Sequence, residues 1–145
     1  MNADSQGSDQ AEIETLLAGL AAAHAERDAV AIAAAYAPDA VIFDLAPPLG
    51  RRGMEVAQVA AWLDTWESPI EVEAKDEALT ISGEAAFSSA LVRMRGRQGG
   101  ADQDLWFRST LCLSKRAEGW RIVHEHSSTP FYMDGSYRAA VDLKP

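Results

Sequence analysis

Glu118-Gly119-Trp120-Arg121-Ile122-Val123-His124-Glu125-His126-Ser127-Ser128 is the stretch that decides the architecture. Glu118-Gly119 is a turn signal, and the run after it is rich in aromatic and β-branched residues, so Trp120 to Ser128 reads as a strand. The turn joins it to an earlier strand-like run, Gln103 to Lys115, and Gly99-Gly100 joins that run to a third, Ala85 to Arg97. Further upstream, Ile70, Val72 and Ala74 alternate with Glu71, Glu73 and Lys75, which carries the strand pattern back to Ile70.

Ahead of Ile70 the period changes. Asp9 with Glu12 three residues on reads as a capping box, opening a helix whose stripe carries Ile13, Leu16, Leu17, Leu20 and His24. Asp28 caps a shorter Ala-rich helix that carries Ile32 and Tyr36 and stops at Pro38. Val41 to Leu45 is a short strand broken by Pro47-Pro48. Val56, Val59, Trp62, Leu63 and Trp66 then return to helical spacing, up to Ser68-Pro69. Helices first and an antiparallel meander afterwards make an α+β pattern, with about three N-terminal helices on one side of a curved antiparallel sheet. Residues 1–9 are polar and read as a disordered tail, and 10–145 as a single domain with no linker.

The net charge of −9 excludes the usual nucleic-acid binder, and Arg93, Arg95 and Arg97 form too small a basic patch to reverse that. The same balance disfavours an anionic membrane surface, and no apolar run approaches the ~20 residues of a membrane span. The segment Met1 to Asp9 lacks the basic start and apolar centre of a signal peptide, so the expected location is cytoplasmic. Cys112 is the single cysteine and sits between two leucines, where an inert thiol is expected.

Specific residues narrow the fold. Asp39-Ala40-Val41-Ile42-Phe43-Asp44 resembles the segment that ends in the catalytic aspartate of ketosteroid isomerases. The strand quoted first resembles the closing strand of SnoaL-like and ketosteroid-isomerase-related proteins, and that of the association domain of calcium/calmodulin-dependent kinases. Pro130 to Pro145 resembles the tail of the ketosteroid-isomerase-related group. The resemblance runs from about Glu12 to Pro145. It implies a conical half-barrel of the nuclear-transport-factor-two-like, or cystatin-like, class around one pocket. Such folds host isomerases, cyclases, dehydratases, hydrolases and noncatalytic assembly modules.

The resemblance also implies site residues. The isomerase base falls on Asp44, while the two proton donors of the oxyanion hole fall near Leu20 and Leu111, which cannot donate. Authentic steroid isomerisation is therefore not expected. The kinase-association resemblance puts ligand-binding arginines near Leu111, Arg93 and Ser127. If Ala117-Glu118-Gly119 is a three-residue turn, Leu111 lies opposite Glu125, Leu113 opposite Val123, Cys112 opposite His124, Thr110 opposite His126 and Arg108 opposite Ser128. Phe107, Ser109, Leu111, Leu113, Val123, Glu125 and Ser127 then line the pocket. Trp106, Arg108, Thr110, His124 and His126 face outward as a dimer interface; a two-residue turn would reverse the faces.

On the neighbouring strand Phe87 and Arg93 share a face. The expectation is one closed-ended cavity holding Asp44 and Arg93, lined by Trp62, Trp66, Phe87 and Leu111, with Tyr36 and Glu125 as further polar groups. His124 and His126 point the same way but lack the further ligands a metal needs, so no metal and no cofactor is expected. Two functions stay open. One is a small-molecule binder or enzyme, an isomerase, cyclase or dehydratase acting on a carbonyl metabolite through an aspartate base. The other is a noncatalytic homodimeric module for binding or assembly. The ligand in either case is a small apolar or carboxylate-bearing molecule.

Overall fold

Ile13, Leu16, Leu17 and Leu20 recur at helical spacing and seat helix α1 (Ala3–Glu26) against the sheet, with Ile13 fully buried. The computed structural model describes residues 3–145. The tail expected over residues 1–9 thus lies outside the described residues at Met1 and Asn2, while from Ala3 onward the chain is helical. Asp9 is not a cap. It sits inside the helix, 4% exposed, where its carboxylate accepts from Trp120 Nε1 at 3.0 Å and pairs with Lys115 Nζ at 2.8 Å. Its carboxylate is engaged by these two donors across the fold, and the helix begins six residues before it.

Helix α2 (Ala29–Ala34) does have the expected cap, Asp28 Oδ1 accepting from Ala31 N at 3.0 Å. It ends before Tyr36, which opens strand β1 (Tyr36–Phe43). Strand β2 (Arg51–Arg52) folds back on β1, with Arg51 opposite Ile42 and Arg52 opposite Val41. Helix α3 (Val56–Leu63) stops short of Trp66, so Trp62 and Trp66 do not share a helical face. Their rings still meet edge to face, with centroids 5.8 Å apart. Strands β3 (Glu71–Ser82), β4 (Ala85–Gln98), β5 (Ala101–Arg116) and β6 (Gly119–Ser128) complete the chain's regular structure.

The sheet order is β2-β1-β6-β5-β4-β3. All pairs are antiparallel except β1 with β6, so the sheet is mixed, not wholly antiparallel. Antiparallel neighbours can be joined by a tight turn, whereas β1 and β6 are joined by almost the whole intervening chain, which leaves either direction open. Three helices cover one face of this open, curved sheet, and the core between them holds Ile42, Ile70, Leu113, Trp120 and Ile122.

Turn chemistry sets which residues face that core. Gly99 and Gly100 have φ of 59° and 80°, the paired positive values of a two-residue hairpin loop, and they join Gln98 directly to Ala101. The last turn also has two residues, since Arg116 lies opposite Gly119. A two-residue turn alone would have reversed the faces of β6. A bulge prevents this: Leu113 pairs with Ile122 and Cys112 with His124, leaving Val123 as the extra residue. The pairings of Leu111, Thr110 and Arg108 are those expected. Leu113 differs, because the bulge lets both Ile122 and Glu125 point inward.

Candidate functional site

One cross-strand row runs over the inner face of the sheet: Leu79, Ser88, Leu111, Glu125, Ile42 and Arg51, from β3 across to β2. Directly opposed residues present their side chains on the same face. Ile42 is fully buried in the core and Ser88 nearly so, while Leu79 and Leu111 pack against the same core. The row therefore puts one carboxylate, Glu125, and one guanidinium, Arg51, among apolar neighbours on the helix side.

Tyr36, at the start of β1, donates its hydroxyl to Glu125 Oε1 at 2.9 Å. Asp44, just past the end of β1, pairs with Arg51 Nη2 at 2.5 Å. Arg51 also directs that nitrogen at Met54 Sδ, 3.5 Å away. Its Nε–H is buried and has no hydrogen-bond partner among the described residues. An unsatisfied buried donor costs about 1–3 kcal/mol, and Arg51 Nε shares this state with the core Trp66 Nε1.

Burial governs the electrostatics. Desolvation pushes the Glu125 carboxyl up to about 7, the nearby Asp44 charge adds to the rise, and the Tyr36 hydrogen bond and the Arg51 charge oppose it. The Tyr36 phenol is held well above its ordinary value, first by burial and then by the Glu125 charge. At neutral pH the dyad thus contains a carboxyl divided between its acid and base forms, beside a neutral phenol. On α1, His24 is lowered by burial, donates Nδ1–H to Leu20 O at 2.8 Å, and meets the Trp62 ring edge to face.

Several expected site residues stand elsewhere. Arg93 lies opposite Trp106 on the outer face, where Asp104 holds both Nε (2.8 Å) and Nη2 (2.7 Å) and Glu73 lies 3.5 Å from Nη1. Phe87 is on that same outer face, half exposed. The cavity that was to join Arg93 and Phe87 with Asp44 and Leu111 is therefore not formed. The cause is the Gly99-Gly100 loop, whose register gives Arg93 the parity of Trp106 and not that of Phe107. Trp66 is buried against Gly96, far along β4 from Ser88, and accepts from Arg27 Nη1 through its carbonyl. It belongs to the core at the other end of the sheet, and Trp62 packs beside it.

Phe107, Leu111 and Ser127 do take the inner face with Glu125. Arg108, Thr110, His124 and His126 take the outer one. His124 donates Nδ1–H to Val41 O at 2.8 Å, and Phe43 stands edge to face against both imidazoles. A shallow hollow of about 340 Å³ on this outer face is bounded by Thr80, Phe87, Cys112 and Val123. The three arginines of β4 are each neutralised, Arg93 as above, Arg95 by Glu71, and Arg97 by Glu67 and Asp102. No group of histidine, cysteine and acidic side chains suited to a metal occurs among the described residues. No helix among them is long and apolar enough to cross a membrane.

With this geometry in view, the chain matches the SnoaL-like domain family over residues 13–132. It belongs to that family. Among solved structures, an NTF2-like protein of unknown function from Pseudomonas putida is similar at 29% identity and a TM-score of 0.84, covering 97% of this chain and 98% of its own. A candidate dehydratase of the NTF2-like family from Streptomyces avermitilis shares the fold at 12% identity, TM-score 0.72, covering 84% and 96%. A candidate ketosteroid isomerase from Shewanella frigidimarina does so at 22%, TM-score 0.62, covering 79% and 92%. No curated protein matches the chain. The SnoaL-like fold is thus established, and a fold of this kind does not by itself fix the chemistry.

Arg51 is the residue that sequence reasoning missed. It follows the Pro47-Pro48 loop in a strand of only two residues, too short to show a period. The available signal was the Asp44…Arg51 pair flanking a loop, one residue on either arm of a hairpin.

Proposed function

We propose that Glu125, Tyr36, Asp44 and Arg51 bind a small carbonyl metabolite and move a proton on it, in an isomerisation, cyclisation or dehydration that passes through an enolate. The observation that carries this reading is Glu125, a buried carboxyl with a proton affinity near neutrality, hydrogen-bonded to a phenol. General acid–base groups work best when their pKa lies near the working pH. The carboxylate takes the proton α to the carbonyl. The C–H pair becomes the C=C bond of the enolate and the carbonyl π pair moves onto oxygen. Glu125 then returns the proton to another carbon or to a leaving oxygen.

Tyr36 fixes one carboxyl oxygen and leaves the other for substrate. Asp44, the base that the family resemblance implies, is here ion-paired, and its charge raises the basicity of Glu125. Phe107, Leu111 and Ser127 supply walls on the same face. The step requires no cofactor. The resemblance implies the donors of steroid isomerases near Leu20 and Leu111, which cannot donate, so standard steroid substrates should turn over negligibly.

We propose further that two copies pair through their outer sheet faces, a reading supported by the exposure there of Phe87, Phe43 and Arg108.

The catalytic reading is tested with β-tetralone, an apolar enolisable ketone, by following protein-dependent α-proton exchange in heavy water by NMR. Exchange catalysed by the wild type should fall at least ~100-fold in Glu125→Gln. Equal exchange in both, or none above buffer in the wild type, would refute it.

A further inference from the structure

We infer that Arg51 Nε–H is the oxyanion donor of the site: it receives the oxygen on which negative charge develops, in place of the proton donors missing at Leu20 and Leu111. The inference rests on the reading of Glu125 as the proton-transfer group and adds the residue that stabilises the product of that transfer.

Three observations carry it. Arg51 and Glu125 occupy one inner-face row on either side of Ile42, and each keeps part of its surface accessible, so a small molecule reaching one can meet the other. The guanidinium is half committed, its Nη2 held by Asp44 and by Met54 while its buried Nε–H has no partner among the described residues. Asp44 and Met54 both engage Nη2, so the end of the guanidinium is tethered while Nε–H stays uncommitted. A preorganised cationic donor stabilises a developing oxyanion strongly and needs no large rearrangement when the charge appears.

The substrate class follows. Arg51 favours small compounds on whose reacting oxygen negative charge develops, such as enolisable ketones. The same donor should hold a carboxylate that mimics the enolate. Lysine cannot replace it, because a lysine ammonium can keep the Asp44 pair but offers no second, differently directed N–H.

The test follows the arginine Nε–H signals of the protein by proton–nitrogen NMR, with Arg51→Lys assigning the resonance. β-Naphthoate is the enolate mimic and methyl β-naphthoate its neutral counterpart. The expected result is a downfield shift of the Arg51 Nε–H signal with β-naphthoate and little with the ester. Affinity for β-naphthoate should drop about tenfold or more in Arg51→Lys, with thermal unfolding checked to show that the variant is folded. β-Tetralone exchange in that variant should fall about 100-fold with Glu125 intact. If β-naphthoate leaves the Arg51 signal unmoved, or fails to bind, or if Arg51→Lys keeps both affinity and exchange, the inference is overturned. Exchange that still depends on Glu125 in that case leaves the acid–base reading standing, whereas exchange indifferent to Glu125→Gln removes the acid–base reading itself.

Discussion

The two faces of one sheet treat charge in opposite ways. On the outer face Arg93 lies against Trp106, its guanidinium carbon 5.8 Å from the ring, and Asp104 and Glu73 hold it in a partly exposed network. That partnership pulls the Asp104 carboxyl below its usual range and Arg93 further up, so both stay charged. On the inner face Glu125 has a phenol for its hydrogen-bond partner, and burial drives it the other way, to about 7. A carboxylate is locked in one state by a fork of N–H donors and left between two states by desolvation. Only the second condition suits proton transfer, which is why the site is assigned to the face with fewer charges.

The sharpest test of that contrast is the pH dependence of stability. Glu125 is raised in the folded chain from 4.5 to about 7, so between these values the unfolded chain is ionised there and the folded chain remains protonated. The stabilising contribution is complete below the unfolded value and is lost as pH rises through the folded one. Between pH 4.5 and 7 the wild type should lose about 3 kcal/mol through this group, and Glu125→Gln should flatten that slope in denaturant titrations. An unchanged slope would mean that Glu125 is not desolvated.

A smaller effect is expected from Tyr36→Phe. It removes a donor that lowers the proton affinity of Glu125, so the midpoint of the exchange–pH profile should move upward, with a stability loss of about 1–3 kcal/mol. A midpoint that moves down would contradict the assigned bond. On the outer face, Arg108→Glu places like charges in the proposed pairing surface and should shift light-scattering mass from dimer toward monomer. A mass unchanged by the substitution would place any interface elsewhere. Smallest of all is Asp104→Asn. Breaking an exposed pair should change Tm by at most about 2 °C and leave β-tetralone exchange as it was, and a marked loss of exchange would show that the outer face takes part after all.

Much of the fold was legible because its signals are local. Glycine pairs and alternation mark β4, β5 and β6 almost to the residue, and Leu111 opposite Glu125 follows from the hairpin even though a two-residue turn and a bulge, not a three-residue turn, bring it about. The parity of β4 was not legible from hydrophobicity, since Phe87 and Leu91 on one face are as apolar as Ala86, Val92 and Met94 on the other. The Gly99-Gly100 loop carried the information that apolarity lacked. Asp44 was read as the site's carboxylate, but its partner Arg51 was missed, because its two-residue strand shows no period and opposite charges flanking a loop were the one hint. Trp66 had helical spacing with Trp62 by coincidence of count, the helix having ended at Leu63.

The central claim is that Glu125 exchanges a proton near neutrality inside this SnoaL-like domain. Selective carbon labelling of glutamate carboxyls, titrated by NMR with Glu125→Gln to assign the signal, measures it directly. The account predicts that the Glu125 carboxyl titrates with a midpoint near 7, apart from the exposed glutamates. A midpoint at the ordinary value of 4.5 would contradict it.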